Sequence, residues 1–253
     1  MKISWGILLC LMGGVMASMT SQSYATAQSE AITAAVNAPE RLERDKLRDP
    51  DRHPGEILAF YDIKPGQQVL DLFSGGGYYS ELLSRVVGEE GSVLVHNNQA
   101  YLPYAKAELA ERNYSDRFSN VEVLVSEADD LAFKENSFDS VFFILGFHDM
   151  FYHEADWPAI DRVRLVEHLY DSLKPGGLVA IIDHDAITGS GVETAHRLHR
   201  LAKVHVIELM QQAGFTLVDS LSLLENPQDP MTQSVFDKSV KGKTNRYVLK
   251  FKK

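Results

Sequence analysis

The chain has 253 residues and a formal net charge of −10, with 35 Asp and Glu against 25 Lys and Arg. So acidic a chain lacks the basic face that phosphate backbones require, which argues against nucleic acid as its main partner. The length allows one domain with an ample core, and a single cysteine, Cys10, excludes a disulfide framework.

Residues 1–27 read as a secretory signal. Lys2 precedes an apolar stretch from Ile3 to Val15, small polar residues follow, and Ala25-Thr26-Ala27 has the small-x-small form of a cleavage site. The apolar run is short for a bilayer span; the alternative is an uncleaved membrane anchor. Cleavage near Ala27 predicts a periplasmic or secreted chain, 28–253, with no cysteine and no stable membrane insertion. Residues 28–55 form a polar extension with helical potential and no strong core pattern, placed to act as a lid. Pro54 suits the first turn of a helix that carries Ile57, Leu58 and Tyr61 at helical spacing.

Short apolar runs then alternate with amphipathic stretches. Strands are expected at 68–73 (QVLDLF), 92–97 (SVLVHN), 121–126 (VEVLVS), 138–149 (FDSVFFILGFHD), 178–185 (LVAIIDHD), 215–224 and 245–253. Helices are expected at 78–88, ended by Gly88, at 100–113, at 157–177, and as one long helix over 191–214. The buried stripe of that long helix reads Ala195, Leu198, Ala202, Val206, Leu209 and Ala213. The pattern predicts an α/β fold: a Rossmann-like, seven-stranded, mostly parallel sheet with its last strand antiparallel and helices on both faces. Residues 226–244 are an irregular excursion of the kind that often serves function.

The stretch DLFSGGGYYS, 71–80, places three glycines between the first strand and its helix. Glycine there permits a tight turn and lets a ligand approach backbone N–H groups at a helix N-terminus. The VLDLFSGGG segment resembles the first motif, D-x-G-x-G-x-G, of class I S-adenosylmethionine-dependent methyltransferases. ADDLAFKENSFDSVFF resembles their run into the fourth strand, and LKPGGLVAIID their turn into the fifth. The resemblance covers about residues 55–252. Features such as HP at 53–54, FHD and DHD are similar to an exported, methyltransferase-like subgroup.

The resemblance implies S-adenosylmethionine as cofactor and a small-molecule substrate. It assigns Asp71, Gly75, Gly76 and Gly77 to the cofactor's amino-acid end, and Glu127 with Ala128 to the adenine. Asn97 or Asn98 falls where the family supplies an acid to the ribose. Phe73 replaces the motif's first glycine, and the neutral amides at 97 and 98 make weaker bonds than a carboxylate. Weaker cofactor affinity or a changed ligand is the expectation.

His148, with Asp149, and His184 fall at ends of predicted central strands, where ligands bind in such sheets. They are candidates for a base or substrate clamp, since histidine has a suitable pKa; ordinary capping and loop-tying is the other reading. Asp185, Tyr78 and His53 are candidate substrate contacts, His53 alternatively as a cap for its helix. No metal-binding spacing such as His-Glu-x-x-His is present, and no metal is assigned. His196 and His199 are expected on a solvated or substrate-lip face of the long helix. The rival functions are an exported non-catalytic binding protein for a nucleoside-like or other small ligand, and a His/Asp metal-assisted enzyme on the same scaffold.

Overall fold

The computed structural model describes residues 25–253. The expected signal lies outside the described residues except for 25–27, which fall within helix α1, described over 25–36. Among the described residues no helix is long and apolar enough to cross a membrane. Helices α2 (Glu43–Lys46), α3 (Asp49–Arg52) and α4 (Pro54–Phe60) lead into the sheet.

Seven strands form one sheet: β1 (Gln68–Leu72), β2 (Ser92–Asn97), β3 (Val121–Val125), β4 (Phe138–Ile144), β5 (Leu173–His184), β6 (Thr216–Leu221) and β7 (Arg246–Lys252). Their order is β3-β2-β1-β4-β5-β7-β6. Neighbours from β3 through β5 are parallel, while β7 runs antiparallel to both β5 and β6. This is the expected architecture. The strand order reverses between β1 and β4, so the crevice beyond their carboxyl ends is the natural ligand site.

Each strand feeds two cores because successive side chains face opposite ways. Leu70, Phe143 and Ile181 pack on one face with Leu165, Val166 and Leu169 of α8 (Arg162–Ser172) and Val206 and Met210 of α10 (Lys203–Gln212). Val69, Phe142 and Ile182 pack on the other with Ile57 and Tyr61 of α4 and Leu82 and Val86 of α5 (Tyr78–Val87). The fully apolar reading of the central strands follows from this cover on both sides.

Four expectations are corrected. The long helix over 191–214 is two, α9 (Glu193–Leu198) and α10, separated by His199 in the left-handed region (φ 52°) and an extended Ala202. Arg200 causes the break: it is fully buried, its Nε donates to the Gln233 carbonyl at 2.8 Å, and it pairs with Asp229 at 2.9 Å. The strand expected to reach residue 149 stops at Ile144, where Leu145 (φ 58°) turns the chain into a 3-10 segment, Phe147–Phe151. The helix expected from 157 begins at Arg162, capped by the Asp161 carboxylate, which accepts from the Arg164 N–H at 3.1 Å. Finally, the N-terminal extension is part of the core: Ile32 and Ala35 are buried with α4 and α5, and Arg41 and Asp45 are buried polar residues.

Candidate active site

At the end of β1 the chain turns through Phe73 (φ 51°), Gly75 (φ 56°) and Gly77 (φ 79°). These left-handed values explain the glycines at 75 and 77, and make Phe73 a strained exception. The Phe73 ring points into the core, against His96, Tyr101 and Phe143. The turn is braced from all sides. The Gly75 N–H donates to Asn97 Oδ1 at 2.9 Å, and Asn97 Nδ2 donates to Ser74 Oγ at 2.9 Å and to the Gly75 carbonyl at 3.1 Å. The Gly77 N–H donates to the Ser74 carbonyl at 3.0 Å. Arg112, from α6 (Leu102–Arg112), donates to the Gly76 carbonyl and pairs with Asp45 at 2.7 Å and Glu81 at 2.8 Å, all of them buried.

A cavity of about 170 Å³ lies over this turn. Asp71, Gly75, Gly76, Tyr78, Arg48 and Arg52 contribute to its wall. A side chain at Gly75 would meet nothing within 4 Å, so the space above it is free, whereas Gly76 and Gly77 are covered by Glu108, Arg112 and Tyr114. Burial raises the Asp71 pKa to about 7, against the lowering effects of the Ser80 hydroxyl, which donates to it, and of Arg112. Tyr78 donates to Asp49 of the N-terminal extension.

The other residues assigned to the cofactor do not line this cavity. Asn97 spends its amide on the turn. Asn98 is buried with its Oδ1 unpartnered. Glu127 precedes a 3-10 turn, Ala128–Asp130, in which Ala128 is buried. His53 stands apart from the crevice, 3.6 Å from Glu56 in a shallow surface depression beside α1. Asp185 accepts from Asn245 Nδ2 at 3.3 Å and from the Ala186 N–H at 3.0 Å, and lines neither cavity.

A second cavity, about 660 Å³, opens over β4 and β5 and meets the first at Tyr101 and Leu145. His148, Asp149, His184 and His199 supply its polar wall; Tyr104, Tyr152, Trp157 and Phe236 supply aromatic surface. Residues 226–244 thereby reach the site, through Phe236 and Lys241. Asp183, at the β5 tip and fully buried, organises the wall. It accepts from the His148 backbone N–H at 2.8 Å, the His184 N–H at 2.7 Å and, through Oδ1, holds His148 Nδ1 at 2.8 Å. That leaves His148 Nε2 facing Asp149 Oδ1 at 3.2 Å. His184 Nδ1 contacts the Thr244 hydroxyl at 2.7 Å.

The two histidines have opposite proton affinities. Burial acts to lower the His148 pKa, but the charges of Asp149 and Asp183 and the Asp183 hydrogen bond outweigh it and raise the value to about 9. Burial, then the charges of His148 and Arg246, hold His184 well below the ordinary value. The two environments thus push the adjacent rings in opposite directions, His148 toward and His184 away from the charged form.

Of this wall, Tyr101 escapes sequence reasoning and His199 is foreseen only in part. Tyr101 lies between the cavities and donates to Asp149 Oδ2. His199, expected on a solvated or substrate-lip face, lines the cavity: the break after α9 turns its ring toward His148, 5.4 Å between centroids, while His196 stays outside and stacks on Tyr152. His199 and Asp149 approach to 3.8 Å. The spacing of His196 and His199 is the only signal in the sequence, and it does not say which of them turns inward.

Comparison with known proteins agrees with the glycine turn and the sheet order. Residues 55–221 match the ubiE/COQ5 methyltransferase family. The chain belongs to that family. Family members related to it include the ubiquinone/menaquinone biosynthesis C-methyltransferases of Teredinibacter turnerae, 27% identical over 54% of this chain and 51% of that one, and of Haemophilus ducreyi, 30% identical over 48% and 42%. The chain thus spans about half the length of these relatives. A SAM-dependent methyltransferase from Aquifex aeolicus superposes with a TM-score of 0.56 at 25% identity, over 82% of this chain and 95% of that one. The fold is therefore that of an S-adenosylmethionine-dependent methyltransferase, and S-adenosylmethionine is the family's cofactor.

Proposed function

We propose that this protein transfers the methyl group of S-adenosylmethionine to a flat, hydroxylated small molecule. One observation carries the reading: a cavity over the glycine turn and an aromatic-walled cavity bearing His148 and His184 adjoin at Tyr101 and Leu145. The residues of the turn fit the cofactor's amino-acid end. Open space lies over Gly75, and Arg52, with Arg48 already paired to Glu108 at 2.8 Å, lines the cavity as a cation suited to a carboxylate. When bound, the cofactor supplies an electrophilic methyl group on a sulfonium sulfur.

The chain's own residues do the rest. Tyr104, Tyr152 and Trp157 line the cavity with aromatic surface that suits a planar ring. Neutral His184, whose Nδ1 is occupied by Thr244, presents Nε2 as the base for an acceptor hydroxyl. His148 and Asp149 clamp the acceptor, with His148 fixed in orientation by Asp183. A phenolate shares its charge with ring carbons, so the same site serves an oxygen or a carbon nucleophile. The quinone-pathway C-methyltransferases among the relatives make the ring-carbon acceptor worth testing first. Titration calorimetry with S-adenosylmethionine and S-adenosylhomocysteine, followed by labelled-methyl transfer to phenols and hydroquinones, tests the reading. Absence of binding by either nucleoside at millimolar concentration would overturn it.

We further propose that residues 1–27 direct export. Fractionation of the native cell, with recovery in the cytoplasm, would refute this.

A further inference from the structure

Imidazole and carboxylate groups that converge on a common point, with a cavity on the remaining side, make a different demand from a hydrogen-bonded cluster alone. His148 Nε2, Asp149 Oδ1 and a ring nitrogen of His199 meet this description. Asp149 Oδ1 lies 3.2 Å from His148 Nε2 and 3.8 Å from His199 Nδ1, and the ligand atoms of the three residues all fall within 4.8 Å of one another. Ligand atoms bound at about 2.0–2.2 Å to one tetrahedral ion stand roughly 3.3–3.5 Å apart, so a small inward movement would complete the set.

The surroundings are those of a held metal ligand set. Asp183 Oδ1 sits on His148 Nδ1 at 2.8 Å, which turns Nε2 toward the common point. A carboxylate behind a ligating histidine is the usual support for such a ligand. Tyr101 occupies the other oxygen of Asp149 and leaves Oδ1 for the cluster. His199 is held at φ 52°, a left-handed conformation that strains a non-glycine residue, and its ring lies on the wall. Tyr152 and Phe236 flank that ring at 4.6 and 4.8 Å. The fourth side is the 660 Å³ cavity, where a water or an acceptor oxygen has room.

We infer that His148, Asp149 and His199 bind a first-row divalent transition-metal ion with an open position facing the second cavity. Two imidazoles and one carboxylate suit zinc or ferrous iron better than magnesium or calcium, which prefer all-oxygen shells. Three protein ligands and an open position are the arrangement of a catalytic rather than a structural site. An acceptor hydroxyl on the ion would lose its proton more readily, the proton passing to His184 or to water. That last role rests on the function proposed above; binding of the ion does not.

The test uses the full chain without a histidine tag, stripped by chelator and titrated with cobalt(II) in the absence of nucleoside. One equivalent should bind with visible d–d absorption of a four- or five-coordinate ion, and zinc should displace it. His199→Asn, which tolerates the left-handed backbone, and Asp149→Asn should each weaken binding by tenfold or more. Asp183→Asn should weaken it about 10–100-fold, as loss of a carboxylate behind a ligand does. His196→Asn, one turn earlier on α9 and outside the cluster, should bind as the parent does. Circular dichroism of each variant verifies the fold. No stoichiometric binding by the parent, or unchanged affinity in both His199→Asn and Asp149→Asn, overturns the site. S-adenosylmethionine titration of the same stripped protein fails or succeeds independently and reports on the methyltransferase reading alone.

Discussion

The two cavities stand side by side on one sheet and are built on opposite principles. The glycine turn is closed upon itself: Asn97, Ser74 and Arg112 satisfy the backbone that the motif was expected to leave bare, and only the space over Gly75 is open. The second cavity gathers its functional groups on one wall, where His148 Nε2 and Asp149 Oδ1 stand 3.2 Å apart, and braces them from behind with Asp183, Tyr101 and Thr244. A binding turn needs a rigid shape before the ligand arrives. A reaction wall needs groups whose remaining valence is free, so its bracing must come from the far side of each side chain.

This contrast can be broken or sharpened by substitution. Arg112→Ala should have the largest effect. It removes the guanidinium between two buried carboxylates, Asp45 and Glu81, and frees the Gly76 carbonyl. Urea unfolding should show a loss of about 3–5 kcal/mol, chiefly from buried Asp45 losing its close partner, since Glu81 keeps Arg85 and Arg117. A change below 1 kcal/mol would show that the brace is not structural.

Next comes Asp71. Its folded pKa, about 7, lies above the ordinary value of 3.8, so the folded chain keeps a proton that the unfolded chain releases between those values. This contribution is fully present below about pH 4, is lost as the pH rises to about 7, and is level beyond. At about 1.4 kcal/mol per unit the loss is on the order of 4 kcal/mol at most. Asp71→Asn keeps an acceptor for Ser80 and should flatten that part of the stability profile; an unaltered slope would place the titration elsewhere.

In the second cavity His184→Ala should reduce methyl transfer about a hundredfold or more, with S-adenosylmethionine affinity changed by less than threefold. Equal losses in turnover and cofactor affinity would instead make His184 part of the fold of the crevice. The smallest effect is the most pointed. Asn97→Asp restores the acid found at this place in the family, yet it removes both amide donors and faces the Gly75 carbonyl with charge. It should cost about 1–3 kcal/mol of stability and bring no gain in cofactor affinity. Tighter binding by calorimetry would show that the ribose reaches residue 97 after all.

Much of this molecule could be read from the chain alone. Alternating strands and helices, the glycine turn after Asp71 and the Asp183-His184 pair at a strand tip are local patterns, set by side-chain period and by backbone freedom over a few residues. That is why the parallel sheet, its antiparallel last strand and one wall of the site were legible. The break between α9 and α10 was not, because Arg200 leaves the helical register to meet Asp229 and the Gln233 carbonyl, partners about thirty residues away. Tyr101, His199 and Arg112 gained their roles in the same way, through contacts 36 to 67 residues distant or through a turn that propensity does not foresee. Sequence determined which elements form and where their tips lie. Tertiary structure decided which side chains at those tips point into space and which are spent on one another, since hydrogen-bond partners across the sheet are chosen by packing and not by spacing along the chain.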